Sequence, residues 1–200
     1  MRARTYSLWI VSVLAACGGR PTFDLVEVVE RHPDGSVAAT GSTLRGQKTG
    51  RWRYFHEAGY KEREVLYSAD QPWFLTRYHS NGERAAQGDF VGGEKNGVWS
   101  YHEPDGQVAV VETYKQGRLV KRLDLLDERI VYFYESGQVR LVGTFRDGKE
   151  DGDYVAFYEN GQKKEEGTYR DDKRDGAWTY WNERGDIVRR ELWRRGEQVR

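Results

Sequence analysis

Residues 143–161 read GTFRDGKEDGDYVAFYENG, and residues 167–185 read GTYRDDKRDGAWTYWNERG. Laid over each other at a step of 24, the two stretches share Gly143 with Gly167, Phe145 with Tyr169, Gly152 with Gly176, Tyr154 with Trp178 and Gly161 with Gly185. Aromatics two residues after a glycine, and again two residues later as in Trp178 and Tyr180, follow the period of a β-strand, whose side chains alternate between faces. Asn160-Gly161 is a strong short-range hairpin signal. The pair of stretches therefore predicts strand, tight turn, strand and a second, glycine-rich turn.

The register extends outward through the chain. Turn glycines stand at Gly35, Gly59, Gly82, Gly106, Gly137, Gly161 and Gly185, at steps of 24, 23, 24, 31, 24 and 24. Asp34-Gly35, Asn81-Gly82 and Asp105-Gly106 repeat the turn dipeptide, which in a two-residue hairpin places both residues at positive φ. A second glycine follows six residues on at Gly41, Gly88, Gly143 and Gly167, and a third at Gly50, Gly97, Gly152 and Gly176. The latter group is expected to form the glycine-rich turn. Trp52, Trp99, Tyr154 and Trp178 come two residues after it. An aromatic ring can cover the gap that a strand glycine leaves on its neighbour. A fixed period of this length predicts a repeat architecture. The expected fold is all-β: an elongated antiparallel sheet of tandem β-hairpins, about seven units of about 24 residues, over residues 25–200.

Two segments depart from the period. Ser68–Phe74 replaces the expected glycine-rich turn and is one residue short. Residues 118–131 form an irregular insertion that adds seven residues, rich in leucine; a longer hairpin, a short helix and a seam between two halves all fit it. The charged last unit, with Arg189, Arg190, Arg194 and Arg195, reads as a cap that discourages further strand pairing.

Composition narrows the function classes. The chain has 32 basic and 32 acidic residues, so it lacks the basic field that nucleic-acid binding requires, and no nucleic-acid partner is expected. Its 14% aromatic content is that of a folding chain. A single cysteine allows neither an intrachain disulfide nor a cysteine-rich zinc site.

That cysteine, Cys17, ends a segment with its own logic. Arg2 and Arg4 precede an apolar stretch from Tyr6 to Ala16, too short to span a bilayer but fitting a secretory signal. Leu14-Ala15-Ala16-Cys17 resembles a bacterial lipobox. Residues 1–16 are expected to be the lipoprotein signal peptide, and 17–24 the lipidated Cys17 with a short tether. Acyl chains anchor at about 0.8 kcal/mol per buried CH₂. Gly18, where the family pattern for inner-membrane retention has Asp, favours the outer membrane. The expected location is thus the bacterial cell envelope, with the N-terminal lipid in the membrane.

The in-phase motifs Gly143-x-Phe145, Gly152-x-Tyr154, Asn160-Gly161, Gly167-x-Tyr169 and Gly176-x-Trp178-x-Tyr180 resemble MORN-variant repeats. The resemblance covers roughly residues 28–196 and is weak at 60–75 and 118–131. It implies successive antiparallel hairpins. In bacteria many such chains are similar to the YwqK family, described as antitoxins of toxin–antitoxin pairs. A lipobox departs from a cytoplasmic antitoxin and would suit an outward-facing immunity protein.

Candidates for chemistry are few. His32, His56 and His79 stand three residues before a turn glycine, and His102 one position out of phase. Equivalent residues of successive two-stranded units lie about 10 Å apart, too far to share a zinc whose donors sit about 2.0–2.3 Å from the ion. A solvated turn position is expected for them, with no metal. Glu57, Glu135, Glu159 and Glu183 form a similar row, two before a turn glycine, and read as solvated charges. Cys17, being acylated, is no nucleophile. The chain is therefore read as non-catalytic, with no cofactor. Trp and Arg are enriched where proteins meet. Trp52 and Trp99 are expected to build the sheet's own core, whereas Trp181, Trp193 and Trp73 are the candidate partner-binding residues. The functional expectation is a membrane-anchored scaffold for protein–protein contact. The alternative is an immunity protein neutralising a toxin.

Overall fold

The computed structural model describes residues 7–11 and 25–199. Cys17, most of the expected signal segment and the tether up to residue 24 lie outside the described residues. The chain divides into two compact units, Met1–Gln107 and Val108–Arg200. The first holds β1 (Ser7–Val11), β2 (Leu25–Arg31), β3 (Val37–Leu44), β4 (Gln47–Phe55), β5 (Lys61–Ser68), β6 (Gln71–Tyr78), β7 (Arg84–Val91) and β8 (Glu94–His102). The second holds β9 (Val108–Lys115), β10 (Arg118–Asp124), β11 (Arg129–Phe133), β12 (Val139–Arg146), β13 (Lys149–Phe157), β14 (Lys163–Arg170), β15 (Lys173–Trp181), β16 (Ile187–Arg194) and β17 (Glu197–Val199). Within each unit every strand pairs antiparallel with the next. The fold is the expected all-β succession of hairpins, and no helix occurs among the described residues.

Two turn types alternate, and they differ from the expectation in an instructive way. At the seven turn glycines only the glycine is left-handed, with φ between 86° and 90°. In the first of them Gly35 N–H donates to His32 O at 2.9 Å, and His32 N–H donates to Ser36 O at 2.9 Å. This is a three-residue loop, a type I turn closed by a left-handed glycine, rather than a two-residue turn with two positive φ values. In four of the seven loops the residue before the glycine also braces the turn through its side chain. Asp34, Asn81, Asp105 and Asn160 each accept a hydrogen bond from the backbone N–H two residues on, at 2.9–3.1 Å.

The true two-residue turns fall at Arg45-Gly46, Ala69-Asp70, Gly92-Gly93, Gln116-Gly117, Asp147-Gly148, Asp171-Asp172 and Arg195-Gly196, with both residues at positive φ. Gly50, Gly97, Gly152 and Gly176 are thus not turns. They lie inside β4, β8, β13 and β15 with φ between 63° and 112°. On β4, Thr40 pairs with Arg53 and Ser42 with Thr49, so Gly41 alone opposes Gly50, Arg51 and Trp52. This wide bulge swings the indole over Gly41, and Trp52 Nε1 donates to Ser42 O at 2.9 Å. Trp99 to Asp89 O (3.0 Å) and Trp178 to Thr168 O (3.2 Å) repeat the bond.

Both irregular segments are hairpins. Ser68–Phe74 holds the end of β5, the Ala69-Asp70 turn and the start of β6. Residues 118–131 are β10, a turn in which Asp124 Oδ1 accepts from Leu126 N and Asp127 N at 3.2 Å, and the start of β11.

Within the second unit the insertion also decides which face carries the aromatics. Glu112 stands 24 residues after Gly88 and so occupies its slot in the period. However, β10 carries one extra residue, Val120, where the bulges of β4 and β8 carry two. Register then runs from Glu112 through Arg122 and Val131 to Val142, while Gly143 pairs with Ile130. A one-residue slip moves side chains to the other face. The face bearing Gly143, Tyr154, Trp178 and Tyr180 is therefore opposite to the face bearing Glu112. Buried Glu112 is held by Arg122 Nη1 at 3.0 Å and by the Tyr114 hydroxyl at 2.7 Å.

Candidate interaction surface

One face of each unit is an aromatic layer. Trp52, Trp99 and Trp178 are 1%, 2% and 0% exposed, so these tryptophans are core. A methyl group at Gly41, Gly88 or Gly167 would overlap the indole above it. Each ring thus fills the volume its neighbouring glycine leaves empty.

Above the rings lies a set of cations that the turn-and-aromatic period overlooks. Lys48 Nζ sits 3.9 Å from the Trp52 ring centroid, Lys95 Nζ 4.4 Å from Trp99, and the Arg174 guanidinium 4.2 Å from Trp178. Each also reaches the tyrosine two residues after the tryptophan: Tyr54 at 3.1 Å, Tyr101 at 2.6 Å and Tyr180 at 2.7 Å. Cation–π contacts contribute about 0.5–2 kcal/mol, more where water is excluded. The signal was in the sequence: Lys48, Lys95, Glu150 and Arg174 all stand two residues before the strand glycine.

Electrostatics around the layer favour proton retention by the phenols. Burial, with the hydrogen bond that its hydroxyl gives to Tyr54 at 3.0 Å, pushes Tyr67 up to about 12. Burial likewise raises Tyr54, Tyr154 and Tyr180. These hydroxyls remain protonated at neutral pH, and those of Tyr154 and Tyr180 donate to Glu165 and Glu191. Burial pushes the Glu150 carboxyl up as well, with Asp172 adding like-charge repulsion.

The sequence-derived partner residues are placed differently from one another. Trp73, in the first unit, is 48% exposed. Leu66 pairs with Phe74 and Tyr67 with Pro72, so Trp73 is the extra residue of a bulge. In the second unit Trp181 is half-buried, with Lys163 Nζ 5.6 Å from its ring, and its carbonyl accepts from Tyr158 Oη at 2.9 Å. Trp193 is also half-buried; its Nε1 donates to Glu191 at 3.1 Å, and Arg174 lies 5.5 Å from its ring. Trp193 faces Gly176 and Trp181 faces Ile187, opposite ends of the β15–β16 pair, so the two do not form one patch.

His56 is exposed in its turn, as expected, whereas His32 and His79 are structural rather than solvated. His32, 9% exposed, and His79 place Nε2 at 3.0 Å from Phe55 O and 2.8 Å from His102 O, stitching one turn to the next. Tyr134 and Tyr158 fill the same slot through Phe157 O and Trp181 O. The row of Glu57, Glu135, Glu159 and Glu183 is exposed, as expected. Among the described residues no group of His, Cys, Asp and Glu is placed to hold a metal ion. Among the described residues no helix is long and apolar enough to cross a membrane.

Comparison with known proteins adds one firm point. The family described as MORN repeat variant matches residues 150–171. No curated protein matches the chain. Among solved structures, it is similar to part of the GtfA/B complex bound to UDP and GlcNAc, at 14% identity and a TM-score of 0.27, over 64% of this chain and 25% of that one. It is also similar to part of the Tc holotoxin pore of Photorhabdus luminescens, at 10% identity and a TM-score of 0.19, over 92% and 14%. The chain thus spans a quarter or less of the length of either. Residues 150–171, from the β13 acid to the β14–β15 turn, carry a MORN repeat variant, and its turn, strand glycine and aromatic recur in phase through both units.

Proposed function

We propose that the protein is a non-catalytic repeat scaffold of the bacterial envelope, held by a lipid on Cys17 and acting through protein contact. MORN repeats are in general interaction modules, which is compatible with this reading. The observation that carries it is Trp73. The in-phase tryptophans are sealed in the core, whereas Trp73 is lifted out of phase by a bulge and left 48% exposed. Buried aromatic anchors dominate protein interfaces, and an exposed tryptophan on a charged sheet suits that use. Crosslinking in cells followed by mass spectrometry tests the reading: wild-type protein should capture a defined set of envelope proteins, and Trp73→Ala should lose them. Capture of nothing by the wild type would refute it.

Anchoring rests on Leu14–Cys17 and has its own test. Cys17→Ala should abolish lipid labelling and release the chain from membranes; a labelled, membrane-bound Cys17→Ala chain refutes the anchor. The immunity reading is favoured by the resemblance to the YwqK family. It predicts one dominant stoichiometric partner, a toxin, from which expression of this chain protects the cell.

A further inference from the structure

The slot above Tyr154 departs from its sisters in a consistent direction. In three units the residue two before the strand glycine is a cation lying over the aromatic ring, at 3.9–4.4 Å. In the unit that begins with β13 that residue is Glu150, and the aromatic is Tyr154 rather than Trp. The next position on that face, a tyrosine in the other three units, is Ala156. Each change removes volume or positive charge from the same place.

What remains is an aromatic wall with negative charge on it. The Tyr169 ring stands edge-on to Tyr154 at 5.3 Å. The Tyr154 hydroxyl donates toward Glu165 at 3.4 Å, and the buried Trp178 ring lies beside Tyr154 at 5.5 Å, tilted by 37°. Glu165 is already paired with Arg174 at 3.4 Å, so its charge is spoken for. Among the described residues no cation pairs with the Glu150 carboxylate. Tyr154, Tyr169 and Glu150 are half-buried, so each keeps part of its surface accessible to solvent. An aromatic ring with a carboxylate beside it attracts a cation through ring quadrupole and charge together. Elsewhere in this chain the same position on the layer takes lysine or arginine from its own strand.

We propose that the slot formed by Tyr154, Tyr169 and Glu150 receives a lysine or arginine side chain from a partner protein, which completes the layer of cations from outside the chain. This deepens the protein-contact reading and rests on it. It adds to Trp73 a second contact, on the aromatic face of β13 and β14, and gives the partner a basic anchor.

The test uses the full chain in two measurements. In the first, methylguanidinium chloride is titrated into wild-type protein while the ring protons of Tyr154 and Tyr169 are followed by NMR. Saturable shifts confined to these rings are expected. In Glu150→Lys, which supplies the missing cation from within, the affinity should fall by about tenfold or more. Glu150→Gln, which keeps the shape, should fall between the two and guards against a folding defect in the lysine variant. In the second, the three proteins are compared for crosslinked partners in cells, and the capture should fall in the same order. Absence of ring shifts in the wild type, or shifts unchanged in Glu150→Lys, overturns the slot even if capture by the wild type upholds protein contact. Ring shifts with capture undiminished in Glu150→Lys overturn it as the partner's anchor. No capture by the wild type sinks the protein-contact reading, and the partner's role falls with it.

Discussion

At the scale of single residues, the glycines of the strands are the sharpest feature of this fold, and they are not equivalent. Gly41, Gly88 and Gly167 lie under an indole that a Cβ would overlap, whereas a Cβ on Gly143 would meet Ile130 at 3.5 Å and Tyr154 at 3.8 Å, ordinary contacts. Gly41→Ala or Gly167→Ala should therefore cost about 1–3 kcal/mol of overpacking. Gly143→Ala should be neutral or stabilising by up to about 1 kcal/mol, through loss of unfolded-state freedom. Urea midpoints of the variants decide this, and equal losses at all sites would contradict the ring-over-glycine account. A second residue-scale prediction concerns Glu64. Partial burial pushes its carboxyl up, but the Tyr78 hydroxyl, Lys61 and Arg53 outweigh that and leave it below its ordinary 4.5. A depressed carboxylate adds stability that is fully present above 4.5 and is lost as pH falls through the folded value. Glu64→Gln should thus destabilise the protein above pH 4.5 and narrow its difference from wild type on acidification, as read by thermal melts. The glycine–aromatic pairs were legible in the sequence because their period is fixed. Glu64 was not, because its partners Tyr78 and Arg53 come from two neighbouring strands and follow no motif.

At the scale of the element, the hairpin turns show what sequence can and cannot reveal. The glycine-marked loops were placed correctly but given the wrong geometry. Asn-Gly and Asp-Gly serve both as two-residue turns and as the end of a three-residue loop, and the distinction lies in how the flanking strands pair. The second turns were misplaced by four residues, since Gly50, Gly97, Gly152 and Gly176 look like turn glycines but serve the bulges beneath the aromatics. Two of the real turns contain no glycine. Ala69-Asp70 and Asp171-Asp172 hold φ values of 47°, 62°, 49° and 63°, a region that costs an L-residue about 1–2 kcal/mol. The aspartates are retained for a reason: Asp70 Oδ1 accepts from Lys48 N at 2.6 Å, and Asp172 Oδ1 from Glu150 N at 2.7 Å, joining each turn to the preceding one. No such bond involves the Ala69 side chain, which has no polar atom. Ala69→Gly should accordingly stabilise the protein by about 0.5–1 kcal/mol. Asp70→Gly should fail to do so, because it trades backbone relief for the loss of the charge-assisted bond from the Lys48 amide. A chemical-denaturation series on the two variants separates these effects.

At the scale of the whole molecule, the governing fact is that every pairing within a unit joins consecutive strands. No strand reaches past its neighbour to a distant part of the chain inside either unit, so the cost of a lesion has no long-range contact through which to spread. Stability in such an array is approximately a sum of unit and nearest-neighbour terms. Trp178 is fully buried against Tyr169 at 5.1 Å and Tyr154 at 5.5 Å, and its Nε1 holds Thr168 O. Trp178→Ala should remove about 3–5 kcal/mol from that neighbourhood. Trp52, closed over by Tyr54 and Tyr67 at 6.3 and 6.5 Å, is its counterpart in the first unit. Hydrogen exchange distinguishes local from global loss, because each amide reports the opening of its own region. In Trp178→Ala, exchange should quicken across β13–β16 while β3–β5 keeps wild-type protection, and Trp52→Ala should show the converse. A uniform loss of protection in either variant would mean that the chain unfolds as one cooperative block, and the nearest-neighbour description of its stability would have to be abandoned.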